Sequence, residues 1–91
     1  MGERKIDVKA AVASAQQYVK ELYAGQSLRD LLLEEVEYVE HENEWRVTIG
    51  FSLPKEEQSM VFTPRQLSRH YKEVRVNAET GESISMRIRT V

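Results

Sequence analysis

Two histidines, His41 and His70, are the side chains that could serve as bases near neutral pH. His70 follows Ser68 by two residues, a spacing that on a strand directs both side chains to the same side. A serine nucleophile also needs an acid that orients its histidine and a strained turn that exposes its hydroxyl, and neither is evident here. We therefore expect no catalytic residues and no enzymatic activity.

His41 stands among Glu40, Glu42 and Glu44, where a divalent metal ion is conceivable. Carboxylates at the tip of a hairpin usually face water, and a metal site needs ligands that converge, so a solvated turn is the favoured interpretation. The four glycines are scattered at positions 2, 25, 50 and 81, so no glycine-rich phosphate loop is formed. The sequence predicts no metal and no cofactor.

Composition favours one small folded domain covering residues 1–91. At 10.6 kDa, with 41% hydrophobic and 31% charged residues, the chain has the balance of a globular, soluble protein. A net charge of −2 gives no general attraction to nucleic acid or to an anionic membrane. The chain has no cysteine, and no apolar signal segment follows its basic N-terminal residues, which favours the cytoplasm.

The stretch from Glu44 to Leu53 is the best candidate for a central strand. Five apolar residues alternate there with small or polar ones: Trp45, Val47, Ile49, Phe51 and Leu53 against Arg46, Thr48, Gly50 and Ser52. This period of two indicates a strand with one buried face. Pro54 is expected to end it, and residues 55–59 are polar enough for an exposed, mobile loop.

From Asp7 to Tyr23 the apolar residues recur at helical spacing, with Asp7 as the N-cap and Gly25 as the residue that closes the helix. The following strand is expected to begin near Leu32. It would need a β-bulge near Glu34 and Glu35 to bring its apolar residues to one face.

The strand then turns through 41–43 into the central strand. For residues 60–67 a strand extension and a short helical turn at Thr63–Gln66 both remain open. Two further strands, 69–77 and 83–89, form a hairpin whose turn uses Asn77 and Gly81. The sequence thus predicts an α+β fold with one N-terminal helix packed on a four-stranded antiparallel meander.

The segment YKEVRVNAETGESISMRIR resembles the closing hairpin of PepSY-type domains, which centres on an Asx-x-x-Thr-Gly turn. Together with the helix and the hairpin that contains WRVTIGF, most of the chain is similar to a PepSY or cystatin-like α+β unit. The resemblance implies a non-catalytic module, of a kind often proposed to inhibit or regulate peptidases. It supplies no catalytic residues, and a free-standing cytoplasmic relative is the expectation.

A single helix covers only one face of a sheet, and the residues on the other face therefore become candidates for binding. The predicted interaction surface consists of Arg46, Thr48, Gly50, Tyr71 and Arg75. We expect a protein-interaction or regulatory module that binds a protein partner or forms a homodimer through the open face or an edge strand. The alternative is a small-ligand or peptide-binding domain with its site between helix and sheet near residues 54–67.

Charge is distributed unevenly along the sequence. Residues 34–44 contain six acids and no Lys or Arg, whereas residues 65–91 carry six Lys or Arg residues against three glutamates. Arginines on the last strand could contact phosphate, but protection of a sheet edge from aggregation is the favoured interpretation. The two segments could meet within one molecule or between two copies.

Overall fold

The computed structural model describes residues 4–54 and 67–90, which form one α-helix and four strands. The elements in chain order are α1 (Val8–Leu22), β1 (Arg29–Val39), a 3₁₀ turn (Glu40–Glu42), β2 (Glu44–Pro54), β3 (Leu67–Asn77) and β4 (Ser83–Ile88). The strands form one antiparallel sheet in the order β1-β2-β3-β4. The predicted fold, one N-terminal helix on a four-stranded antiparallel meander, is confirmed.

Helix α1 begins at the predicted cap. Asp7 has an extended backbone, and its Oδ1 accepts a hydrogen bond from the amide of Ala10 at 2.8 Å. The helix packs on the sheet through small residues, since Ala11, Ala15 and Val19 are fully buried. Small side chains let the helix axis approach the sheet closely, so the core is thin and depends on the strands for its large side chains.

The large core side chains come from the two central strands. Val47, Ile49 and Phe51 of β2 are fully buried, as are Val74 and Val76 of β3. They alternate with the residues that face away from the helix, as the period of two predicts. The sheet face toward α1 is therefore the core, and the opposite face, called here the open face, carries the intervening residues.

Strand β1 begins earlier than predicted and contains two register shifts. The predicted start near Leu32 is wrong: Arg29 already pairs with Ser52 of β2. Asp30 takes a positive φ of 53°, which inserts an extra residue between Arg29 and Leu32 and lets the ladder continue. The second shift, between Leu33 and Glu35, confirms the predicted bulge.

The C-terminal hairpin turns as the sequence indicates. Asn77 Oδ1 accepts hydrogen bonds from the amides of Glu79 at 2.8 Å and Thr80 at 3.1 Å, and Gly81 has a φ of +80°. The loop at 55–59 and the alternatives for residues 60–66 lie outside the described part of the chain, while Leu67 already belongs to β3.

The residues before α1 are attached to this hairpin turn. The amides of Lys5 and Ile6 both donate to the carbonyl of Ala78, at 2.9 and 2.8 Å. Trp45 Nε1 donates to the carbonyl of Ile6 at 2.8 Å. The N-terminal arm therefore closes one end of the core.

Candidate functional site

Within residues 4–54 and 67–90, neither His41 nor His70 is assembled with the further groups that a catalytic or metal site needs. His41 is highly exposed on the 3₁₀ turn, 3.6 Å from Glu42, and no group of three metal-ligating side chains is found among the described residues. Ser68 Oγ and His70 Nε2 lie 2.8 Å apart, and the imidazole stacks on Phe51 with ring centroids 5.8 Å apart. The His70 ring is thus part of the packing around the core.

The open face instead carries a network of ion pairs, centred at one end on Glu44. Its carboxylate accepts two hydrogen bonds from Arg75, both at 2.7 Å, and a third from Arg46 at 3.2 Å. The Glu44 side chain is only 3% exposed. The bidentate bond from Arg75 lowers the pKa of Glu44 below its usual value of 4.5, against the opposing effect of burial.

A second carboxylate shares the same two arginines. Glu42 lies 3.0 Å from Arg46 Nη2 and 3.5 Å from Arg75 Nη2. Arg46 and Arg75 are directly opposite each other on neighbouring strands, where two positive charges would repel without the glutamates. The carboxylates therefore hold this end of the open face together.

Arg89 crosses the middle of the open face from the end of β4. Its guanidinium reaches Glu73 of β3 at 3.4 Å, donates to Thr48 Oγ1 of β2 at 2.9 Å, and pairs with Glu35 of β1 at 2.8 Å. One side chain thus connects all four strands. The prediction that arginines of the last strand protect its edge does not describe Arg89, which lies over the sheet.

A third group occupies the far end of the open face, above Gly50. Arg69 pairs with Glu34 at 3.1 Å and donates to the carbonyl of Asp30 at 2.7 Å and to Ser52 Oγ at 3.2 Å. A Cβ on Gly50 would lie 2.5 Å from Glu34 Oε2 and 2.8 Å from Arg69 Nη2. Glycine at this position leaves the space in which the ion pair crosses β2.

The predicted interaction residues are all on the open face, and most are engaged in this network. Arg46 and Arg75 bind Glu44, Thr48 accepts from Arg89, and Gly50 lies beneath an ion pair. The Arg69 guanidinium stands 5.9 Å from the centre of the Tyr71 ring. Binding at this surface stays a prediction, but a partner here would have to displace existing ion pairs.

The sequence reasoning missed the carboxylates and the two additional arginines of this network: Glu34, Glu35, Glu42, Glu44, Arg69 and Arg89. The alternation of side chains along β2 places Glu44 on the same face as Arg46, so this one ion pair could have been predicted from the sequence. The acidic segment 34–44 and the basic segment 65–91 therefore meet within one molecule. Charge attraction between the two segments is satisfied without a second copy.

A different surface, the groove between α1 and β1, is apolar. It has a volume of about 320 Å³ and is lined by Val8, Lys9, Val12, Ala13, Gln16 and Leu33. Val8 is 40% exposed and Leu33 is 44% exposed, and Leu32, the preceding residue on β1, is 55% exposed. Val8 of α1 and Leu33 of the edge strand β1 border the groove, whereas Leu32, which pairs with Gly50, points to the open face beside it. We call them, with the groove, the β1 edge surface.

The opposite edge also exposes apolar side chains. Ile84 is 48% exposed and Ile88 is 81% exposed on β4, which has six residues against eleven in β1. The site that the alternative hypothesis places near residues 54–67 lies mostly outside the described residues. Both edges therefore expose apolar side chains, and an apolar groove adjoins β1.

No family model, no curated protein and no solved structure matches this chain. The resemblance to PepSY and cystatin-like domains therefore stays a prediction. Among the residues that the structure describes, no helix is long and apolar enough to span a membrane.

Proposed function

We propose that this chain is a non-catalytic protein-interaction module, acting in the cytoplasm, that binds its partner through the β1 edge surface. The observation that carries the proposal is the contrast between two surfaces. On the open face Arg46, Arg69, Arg75 and Arg89 are bound to carboxylates of the same chain, whereas Val8 of α1 and Leu33 of β1 remain exposed beside the groove between these two elements. Contiguous exposed apolar side chains are typical of interaction sites.

The ion pairs make the open face the weaker candidate for docking. A partner that covered it would remove paired charges from water, and the desolvation cost of such pairs can exceed what their attraction returns. Covering Leu32, Leu33 and the groove removes apolar surface from water, which is favourable. The resemblance to PepSY-type domains supports the same class of function, a binding or regulatory module.

Site-specific photo-crosslinking in cells tests the proposal. A photoreactive amino acid would replace Leu33 in the full chain, and in the matched control it would replace Ile84. The two side chains have similar exposure, 44% and 48%, on opposite edge strands. We expect a discrete adduct, identified by mass spectrometry, at position 33 and its absence at position 84.

Two results would count against this proposal. Diffuse labelling of equal intensity at both positions would mean that β1 is no different from any exposed apolar edge. The absence of any adduct at position 33, with the protein folded by circular dichroism, would mean that the surface is unoccupied in the cell.

A further inference from the structure

We infer that the partner at the β1 edge surface is a second copy of this chain, packed β1 against β1 about a two-fold axis. The inference rests on the proposed function and specifies the partner. Such a pairing would extend the sheet and bring the two grooves together, so that Val8 and Leu33 of each copy are covered at once. A two-fold contact uses the same surface on both copies and closes without forming a filament.

The charge of β1 opposes this arrangement in part, because the strand contains Asp30 and three glutamates. Two of these four acids are already paired within the chain, Glu34 with Arg69 and Glu35 with Arg89. Among the described residues, the side chains of Asp30 and Glu37 form no ion pair, and neither does Arg29 near the start of the strand.

Arg29 and Glu37 are placed so that two copies can pair them reciprocally. Arg29 lies opposite Ser52 and Glu37 opposite Arg46, so both belong to the open face. Each is four residues from Leu33, and because one register shift lies on either side of Leu33, both fall on the face opposite to it. In an antiparallel pair of β1 strands with Leu33 near the axis, Arg29 of each copy lies next to Glu37 of the other, giving two equivalent ion pairs.

The other surfaces fit a second copy less well. In the middle of the open face Arg46, Arg69, Arg75 and Arg89 are already paired within the chain, and β4 is short and has its own register shift opposite Arg75 and Val76. The two register shifts in β1 discourage pairing with an arbitrary strand. Two copies of β1 can pack through their side chains across the two-fold axis, with an Arg29–Glu37 pair at each end. This contact does not require an unbroken ladder of backbone hydrogen bonds between the two strands.

Charge reversal distinguishes this arrangement from a contact held by apolar side chains alone, because the dissociation constant of an apolar contact would not respond to the sign of these charges. In a dimer of the Arg29→Glu variant, both reciprocal contacts would join two glutamates, and in a dimer of Glu37→Arg both would join two arginines. In a mixed dimer of these two variants, however, each contact joins one glutamate to one arginine. In the antiparallel arrangement, the first contact sets the new glutamate of one copy against the new arginine of the other, and the second restores the wild-type Arg29 and Glu37 pair.

The mixture should therefore associate more tightly than either variant alone. The experiment measures the mass of the full-length chain by sedimentation equilibrium over a range of concentrations. We expect a wild-type dimer and a dissociation constant raised about tenfold or more in each variant, because two exposed pairs change from attraction to repulsion. The equimolar mixture should return to within about threefold of wild type. Lys72→Glu, a charge reversal on β3, should leave the dimer unchanged.

Three results would overturn the inference. A wild-type monomer at the highest soluble concentration excludes the second copy, and a dimer indifferent to both reversals places the contact elsewhere. Failure of the mixture to regain affinity excludes the reciprocal pairing. A Leu33 adduct to a different protein, together with a wild-type monomer, would reject this inference while the proposed function stands.

Discussion

Replacement of Glu44 by glutamine removes the charge at the centre of the most buried ion cluster. The carboxylate is 3% exposed and accepts three hydrogen bonds from Arg75 and Arg46. Glutamine keeps the shape and one acceptor oxygen, but it turns an amide donor toward the two guanidinium groups. The two arginines would then face each other across the strands with only Glu42 between them.

The loss of stability expected for Glu44→Gln depends on how many hydrogen bonds to Glu44 are lost and on how far Arg46 and Arg75 are exposed to water. A hydrogen bond to a charged group contributes about 1.5–3 kcal/mol, and two or three such bonds are lost or weakened. The arginine side chains are 28% and 31% exposed, so water can replace part of the interaction. We therefore expect a loss of about 2–3 kcal/mol in the free energy of unfolding, or about 10–20 °C in Tm.

The same carboxylate should make stability depend on pH. Because the pKa of Glu44 is lower in the folded chain than its usual 4.5, the folded state binds the proton more weakly than the unfolded state. Its contribution is fully present above pH 4.5 and is lost as the pH falls through the folded pKa. The difference between wild type and Glu44→Gln should therefore shrink below pH 4.5.

Urea denaturation followed by circular dichroism measures this difference at neutral pH and in acid, at one fixed low protein concentration. Glu21→Gln, an exposed position on α1, is the matched control and should change stability by less than about 0.5 kcal/mol. A loss below about 0.5 kcal/mol for Glu44→Gln at pH 7 would refute the reasoning. A difference that stayed constant from neutral pH into acid would refute its electrostatic origin.

Two further substitutions test how other parts of the molecule are held. Gly50→Ala should destabilise the wild type by displacing the Glu34 carboxylate and the Arg69 guanidinium. In a background that carries both Glu34→Ala and Arg69→Ala it should instead stabilise the protein by about 0.5 kcal/mol through the unfolded chain; equal effects in both backgrounds would contradict this. Trp45→Phe removes the bond to the Ile6 carbonyl and should cost about 2 kcal/mol. Hydrogen exchange at the Ile6 amide should accelerate, and an unchanged rate would show that Trp45 does not hold the N-terminal arm.

Local interactions explain what the sequence predicted correctly. The alternation in residues 44–53 assigned the faces of β2, because successive side chains of a strand point to opposite sides. Asp7 marked the helix start, and Asn77 with Gly81 marked the turn, since each acts within a few residues of itself. The mismatch between two apolar periods near Glu34 predicted the bulge.

The start of β1 was misplaced because the signal there is not local. Arg29 belongs to the strand only because Asp30 adopts a positive φ and Ser52 of β2 is available as a partner. A polar residue with this conformation resembles a turn when the partner strand is unknown. Pairing with β2 therefore overrode the local preference of Asp30 for a turn.

The character of the open face was decided by the tertiary structure alone. Composition showed an acidic and a basic segment, but Glu44 and Arg75 are 31 residues apart, and Glu35 and Arg89 are 54 apart. Strand order and register bring these groups within hydrogen-bonding distance, and neither can be read from the charges themselves. The sequence by itself determined which side chains leave the core, and the pairing of the strands determined that they bind one another, leaving the β1 edge exposed.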